Sequence, residues 1–260
     1  MPAPTVVELL WGTGRQAKRG PKPSLSLEAI VGAAIELADA EGMAGVSMQR
    51  VAERLGYTKM SLYRYVPGKA ELAALMLEQA LGAPPDIATA QALSEEAPWR
   101  AGLRRWTEEI FRRYRAHPWS LELSAGIRPM GPNELGWLEA ALSVMAGIGL
   151  TGPERLDTVV VLNGHVRSLA LQNGDTAADG MEEQLMRQMA EVMEAAGDRY
   201  PEVAAAMGEQ AGGASARDDA LNFGIDRILD GLQALIDRRA DRVSGHASRP
   251  SRRPDRTRPS

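Results

Sequence analysis

At 260 residues with 44% apolar content, the chain can form one large domain, or a small and a medium one, with a real core. It has no cysteine, which excludes a disulfide framework and thiolate metal sites and fits a reducing cytoplasm. Its net charge of −4 is unevenly spread: 12–23 holds Arg15, Lys18, Arg19 and Lys22 without an acid, 45–69 has five basic residues and one acid, 83–237 has 13 basic and 24 acidic residues, and 238–260 has eight arginines and two acids. An acidic body with a basic head and tail is the footprint of a nucleic-acid partner, although solvated charge alone also produces such runs.

The first eleven residues lack the positive charge and long apolar run of an export signal. No stretch reaches the roughly 18 apolar residues that a membrane helix needs, so a cytoplasmic setting is expected. Residues 1–25, rich in Gly, Pro and Lys/Arg, read as a flexible basic arm. Ser26 is a helix N-cap, and Leu27, Ile30, Val31, Ala34, Ile35 and Ala38 then recur at helical spacing until Gly42. Ser47 caps a second helix, striped by Met48, Val51, Ala52 and Leu55 and ended by Gly56. After a short turn, a third helix is expected from Lys59 to Val66, broken by Pro67-Gly68. A fourth begins at Lys69 and stops near Gly82. Two short helices around a tight glycine turn are the helix-turn-helix pattern, so 26–82 is expected to be a small DNA-binding domain.

Beyond Ala83-Pro84-Pro85 the helices lengthen: Trp99 to His117, Asn133 to Gly147, Glu154 to Gln172, Met181 to Ala196, Pro201 to Gln210, and Arg217 to Arg242. No strand is expected, so the fold class is all-α, with a larger helical domain over 90–242. In the last helix, Leu221, Ile225, Ile228, Leu229, Leu232, Leu235 and Ile236 form one long stripe, either an internal seam or a surface for a second copy. The Arg/Pro/Ser-rich residues 243–260 read as disordered.

The third helix carries the chemistry. Leu62 and Val66 are four apart and face inward, which turns Lys59, Met60, Ser61 and Arg64 outward. Lysine, arginine and serine reach base edges or phosphates. Tyr63 and Tyr65 can lay rings on sugar and donate to phosphate, and Thr58 and Lys69 stand at helix starts where phosphates dock.

The segment GVSMQRVAERLGYTKMSLYRYVPGKAEL, Gly45 to Leu72, resembles the DNA-binding domain of the TetR family of bacterial transcriptional regulators in the spacing of Ala52, Gly56, Leu62, Tyr63, Val66 and Lys69. The preceding arm and first helix are similar to a branch related to the tetracycline repressor. The resemblance implies that Gln49 and Lys59 read bases and Met60 meets thymine methyls. It implies that Ser61, Tyr63, Tyr65 and Lys69 hold phosphates, and that Arg50 and Arg64 do either. Tyr65 departs from the smaller or imidazole side chain usual there. The resemblance further implies a helical ligand-binding and dimerisation domain, with helices near 154–172 and 217–242 pairing two copies into a homodimer. The implied function is a repressor on a palindromic double-stranded DNA operator, released by a small-molecule effector of unassigned class. Candidates to line an effector pocket are Trp106, Tyr114, His117, Trp119, Met130, Trp137, Met145, Asn163, His165 and Arg167, each of which also suits a core or interface position.

No P-loop, GxGxxG, HExxH or nucleophile elbow is present, so no catalytic site is expected. His117, His165 and His246 are far apart, and neither a metal nor a cofactor is expected. The rival reading is a nucleoid-type protein that binds DNA without sequence preference.

Overall fold

The computed structural model describes residues 4–13, 25–173, 181–211 and 216–247. Among the described residues every regular element is helical. The basic arm residues Arg15, Lys18, Arg19 and Lys22, and the tail after Ala247, lie outside them.

The head opens with a helix where an irregular arm was expected. Helix α1 (Val6–Trp11) starts at a capping box, in which the Thr5 hydroxyl accepts from the Glu8 N–H and the Glu8 carboxylate accepts from the Thr5 N–H. Its Leu10 is buried in the head core. Helix α2 (Leu27–Glu41) begins where Ser26 accepts from the Ala29 N–H, and it buries Ile30, Val31, Ala34 and Ala38. Helix α3 (Met48–Leu55) is capped by Ser47 and ends at Gly56, whose φ of 74° lies in the left-handed region that glycine tolerates.

Helix α4 (Lys59–Leu62) is shorter than its expected span to Val66. Pro67 disfavours helical geometry at Val66. The chain tightens instead: the Tyr65 N–H bonds to the Leu62 carbonyl at 2.8 Å, a three-residue closure, and Tyr63–Tyr65 form turns. Leu62 and Val66 are fully buried all the same. Helix α5 (Lys69–Leu81) then runs out of the head.

The body adds two short helices that the sequence pattern did not disclose. These are α6 (Ile87–Leu93), capped by Asp86 through Thr89, and α8 (Ser120–Leu123). The others fall near their expected spans: α7 (Pro98–Ala116), α9 (Pro132–Val144), α10 (Gly152–Asn173), α11 (Met181–Ala196), α12 (Pro201–Ala211) and α13 (Ala216–Ala247). Leu221, Ile225 and Leu229 of α13 are buried in the body core, so this part of the long stripe is an internal seam. Arg104 to Asp226 (2.5 Å) and Arg100 to Asp230 (2.8 Å) tie α7 to α13.

Head and body are not simply juxtaposed. Leu81, at the end of α5, belongs to the body core, while Trp119, just before α8, belongs to the head core. The Glu78 carboxylate of α5 accepts from the Asn133 N–H (2.5 Å) at the start of α9. Gly131 fits there because a Cβ would collide with that carboxylate. The Trp137 indole donates to the Gly82 carbonyl (2.9 Å), and Trp11 of α1 to the Met130 carbonyl (3.1 Å). Among the described residues no helix is long and apolar enough to cross a membrane.

Two measurements check this packing. Leu62→Ala is expected to destabilise the head by roughly 2–5 kcal/mol in chemical denaturation, because its side chain is fully buried in the head core. The Glu154 carboxyl is drawn from 4.5 to about 2, first by hydrogen bonds from Arg239 of α13, then by the N–H and hydroxyl of Thr151. A depressed carboxyl contributes stability above its unfolded value and loses it as pH falls through the folded one. The melting temperature is therefore expected to drop between about pH 4.5 and 2, and Glu154→Gln to remove part of that drop.

Candidate nucleic-acid interface

The outer face of the head is a short reading unit on a buried base. Lys59, Met60 and Arg64 are exposed, Met60 at 72%. Ser61, Tyr63 and Tyr65 are half-buried, and both tyrosines pack against the head core. Thr58 acts as the cap of α4: its hydroxyl accepts from the Ser61 N–H and hydrogen-bonds the Ser61 hydroxyl at 2.9 Å. The Lys59 ammonium lies 5.6 Å from the centre of the Tyr63 ring, a cation–π contact on the outer face of the head. Lys69 is exposed at the start of α5 and donates to the Met43 carbonyl at 3.2 Å. Gln49 is exposed, and its amide donates to Glu53 at 2.6 Å, leaving its carbonyl oxygen and one N–H free to face a base.

Arg50 is already engaged at the surface of the head, its guanidinium bonding Glu41 at 2.5 and 2.6 Å and the Gly45 carbonyl at 2.9 Å. Hydrogen bonding to Arg50 holds the Glu41 carboxyl below its ordinary value, and the same bonds raise Arg50. Arg54 is likewise paired with Glu36 at 2.6 Å. Two of the five cations counted in 45–69 are thus neutralised by α2 acids, while Lys59 and Arg64 have no ion-pair partner among the described residues.

The candidate pocket residues separate into groups. Trp106 and Trp137 are core side chains packed edge-on with centroids 6.0 Å apart, the Trp106 indole donating to the Trp137 carbonyl, and Met145 is fully buried beside them. Tyr114, Asn163 and Arg167 do come together: the Tyr114 hydroxyl donates to Asn163 at 3.1 Å, and the Arg167 guanidinium lies 6.0 Å from the Tyr114 ring centre. His165 faces α13, its Nε2 at 3.2 Å from the Leu221 carbonyl, against Gly224. His117 and Trp119 do not join the body's interior. They sit at the junction with the head, both on Asp39. Met130 is also at the junction, under Trp11. Asp39 and Glu78 were missed by sequence reasoning, because their partners lie 55 to 80 positions away and leave no local pattern.

Two family patterns match this architecture: "Bacterial regulatory proteins, tetR family" over residues 30–76, and "Tetracyclin repressor-like, C-terminal domain" over residues 92–236. The chain belongs to the TetR family. It is 39% identical over 243 residues to the HTH-type transcriptional repressor DrrR1 of Streptomyces coeruleorubidus, covering 90% of this chain and 86% of that protein. Its fold is shared with the Streptomyces coelicolor TetR family protein ActR in complex with actinorhodin (TM-score 0.69, 22% identity, 82% of this chain and 97% of that one). It is shared too with TetR from Acinetobacter baumannii AYE (TM-score 0.55, 22% identity, 81% and 98%). As a TetR-family member the chain is a DNA-binding transcriptional regulator, and the match to the family's regulatory body as well as its head sets aside the nucleoid-type alternative.

On a bound DNA fragment, Arg64→Ala is expected to weaken binding and lower the log–log salt slope by about one, as loss of one phosphate contact does. Arg50→Ala is expected to leave that slope unchanged while lowering the head's stability. Binding titrations at several salt concentrations, with melting curves, check both.

Proposed function

We propose that the chain is a cytoplasmic homodimeric repressor that leaves a near-palindromic operator when a small-molecule effector binds its helical body. The observation that carries this reading is the pairing of a core-locked reading head with a body whose helices bear unpartnered apolar side chains. On α10, Leu156, Val160 and Leu171 are exposed along one stripe, at 47%, 69% and 60%. Phe223 of α13 is exposed as well, at 67%. Apolar stripes of this length on a soluble regulator ask for cover, and a second copy supplies it about a two-fold axis, where the same patch meets itself.

Two heads related by such an axis engage half-sites about one helical turn apart, roughly 34–36 Å. Lys59, Ser61 and Gln49 supply base contacts, Met60 a thymine methyl contact, and Tyr63, Tyr65, Arg64 and Lys69 the phosphate grip. The effector acts by preferring dimers whose heads are mis-spaced for DNA, which lowers DNA affinity by the difference in its affinity for the two states. Tyr114, Asn163 and Arg167 form the polar cluster of the body that such a ligand would meet.

Selection of bound fragments from a random DNA pool is expected to return a near-palindrome preferred at least about a thousandfold over random sequence. Val160→Glu is expected to shift the protein toward monomer in sedimentation and to abolish tight operator binding. A monomeric wild-type protein, or a pool without a preferred site, would overturn the reading.

A further inference from the structure

The last helix carries charge away from the reading head. His165 of α10 meets the Leu221 carbonyl near the start of α13, whereas Glu154, eleven positions earlier on α10, meets Arg239 near the end of α13. The two helices are therefore antiparallel. Arg167, toward the other end of α10, bonds the Leu121 carbonyl and the Ser124 hydroxyl, just after Trp119 enters the head core. From Arg167 back to Glu154 is thirteen positions, roughly 20 Å at about 1.5 Å per residue. Helix α7 gives the same direction: His117 at its end bonds Asp39 of the head, while Arg104 and then Arg100, farther from the head, meet Asp226 and Asp230. Helix α13 continues eight residues past Arg239 to Ala247, roughly another 12 Å. Its end thus lies at the pole of the body opposite the DNA-reading face.

This pole is basic on an otherwise acidic body. Arg239 is engaged by Glu154 and the Gly149 carbonyl. Arg238 and Arg242 are exposed, with no ion-pair partner among the described residues. Residues 248–260, outside the described residues, add Arg249, Arg252, Arg253, Arg256 and Arg258 against Asp255 alone. Every other residue there is Ser, Thr or Pro. With no aliphatic or aromatic side chain, the segment has nothing to insert into a bilayer, to stack on an unpaired base, or to bury in a protein interface. What remains is charge and the guanidinium fork, which suit phosphates repeating along a duplex at one charge per roughly 1.7 Å.

We propose that this pole is a second, sequence-independent binding site for duplex DNA. It holds another DNA segment while the heads hold the first. Residues 248–260 reach at most about 45 Å when fully extended, and the return past α13 and α10 takes up most of that length. The DNA under the chain's own heads is therefore the wrong target, and a separate segment beyond the pole is the right one. The contact is electrostatic, so it reads no base and needs no effector. It goes beyond the repressor reading: a regulator held at both ends bridges two segments, and it passes from one to the other without first coming free.

Capture of a second duplex tests the site on the full chain. A bead-bound operator fragment is saturated with protein and then offered a labelled duplex of unrelated sequence. Replacing the five arginines of 248–260 by glutamine is expected to reduce capture at least about tenfold, and to lower its log–log salt slope by about 0.9 per lost phosphate contact. Arg238→Gln combined with Arg242→Gln is expected to give a smaller loss of the same sign. Operator affinity is expected to stay within about twofold of wild type in both variants, because the heads are remote from the pole. Capture by the five-glutamine variant equal to that of wild type would overturn the site. So would weaker operator binding with a lower operator salt slope, which would put the tail on the same DNA as the heads. Tighter binding to phosphatidylglycerol vesicles than to the duplex, at equal salt, would overturn the assignment to DNA. A random pool without a preferred site defeats the repressor reading alone, because capture is then measured on any fragment the heads hold.

Discussion

Burial of Leu62 and Val66 is the constraint on which the interface depends. Helices α3 and α4 have eight and four residues, too short to persist alone in water. They hold their shape because these two side chains are sealed beneath α2 and α5 in a common core. With the inner side fixed, Lys59, Met60 and Arg64 have only one direction left to face. Base readout requires such fixity, since a side chain that wanders by an ångström contacts any base equally well.

The same economy runs through the junction. Helix α5 is shared by both domains: Leu72 and Met76 lie in the head core, Leu81 in the body core, and Glu78 grips the start of α9. Trp119 makes the reverse exchange. Each domain thus holds a piece of the other. The head's acceptors, Asp39 and Glu78, meet body donors, so the joint is directional as well as apolar. Directional bonds have few alternative geometries, so the joint holds head and body in one defined arrangement.

Much of this was legible in the sequence where the physics is local. Ser26, Ser47 and Gly56 mark helix ends because caps act over three or four residues, and the Leu62/Val66 spacing disclosed the buried side of the reading unit. Helix α1 was legible too, in the Thr5-to-Glu8 capping box, but the glycine- and lysine-rich stretch after it dominates the composition of the segment. What stayed hidden was long-range. The positive charge of 45–69 is partly offset because Glu36 and Glu41, outside that window, fold back onto Arg54 and Arg50. His117 and Trp119 looked like pocket walls because nothing near them in the chain announces Asp39.

Gly131 shows how far such a joint extends its demands. It stands at the start of α9, and the carboxylate of Glu78 occupies the volume that a side chain there would need. A single added carbon would push aside the acid that fastens α5 to the start of α9. The freedom to vary at 131 is therefore given up to a contact made by another helix, 53 positions earlier in the chain.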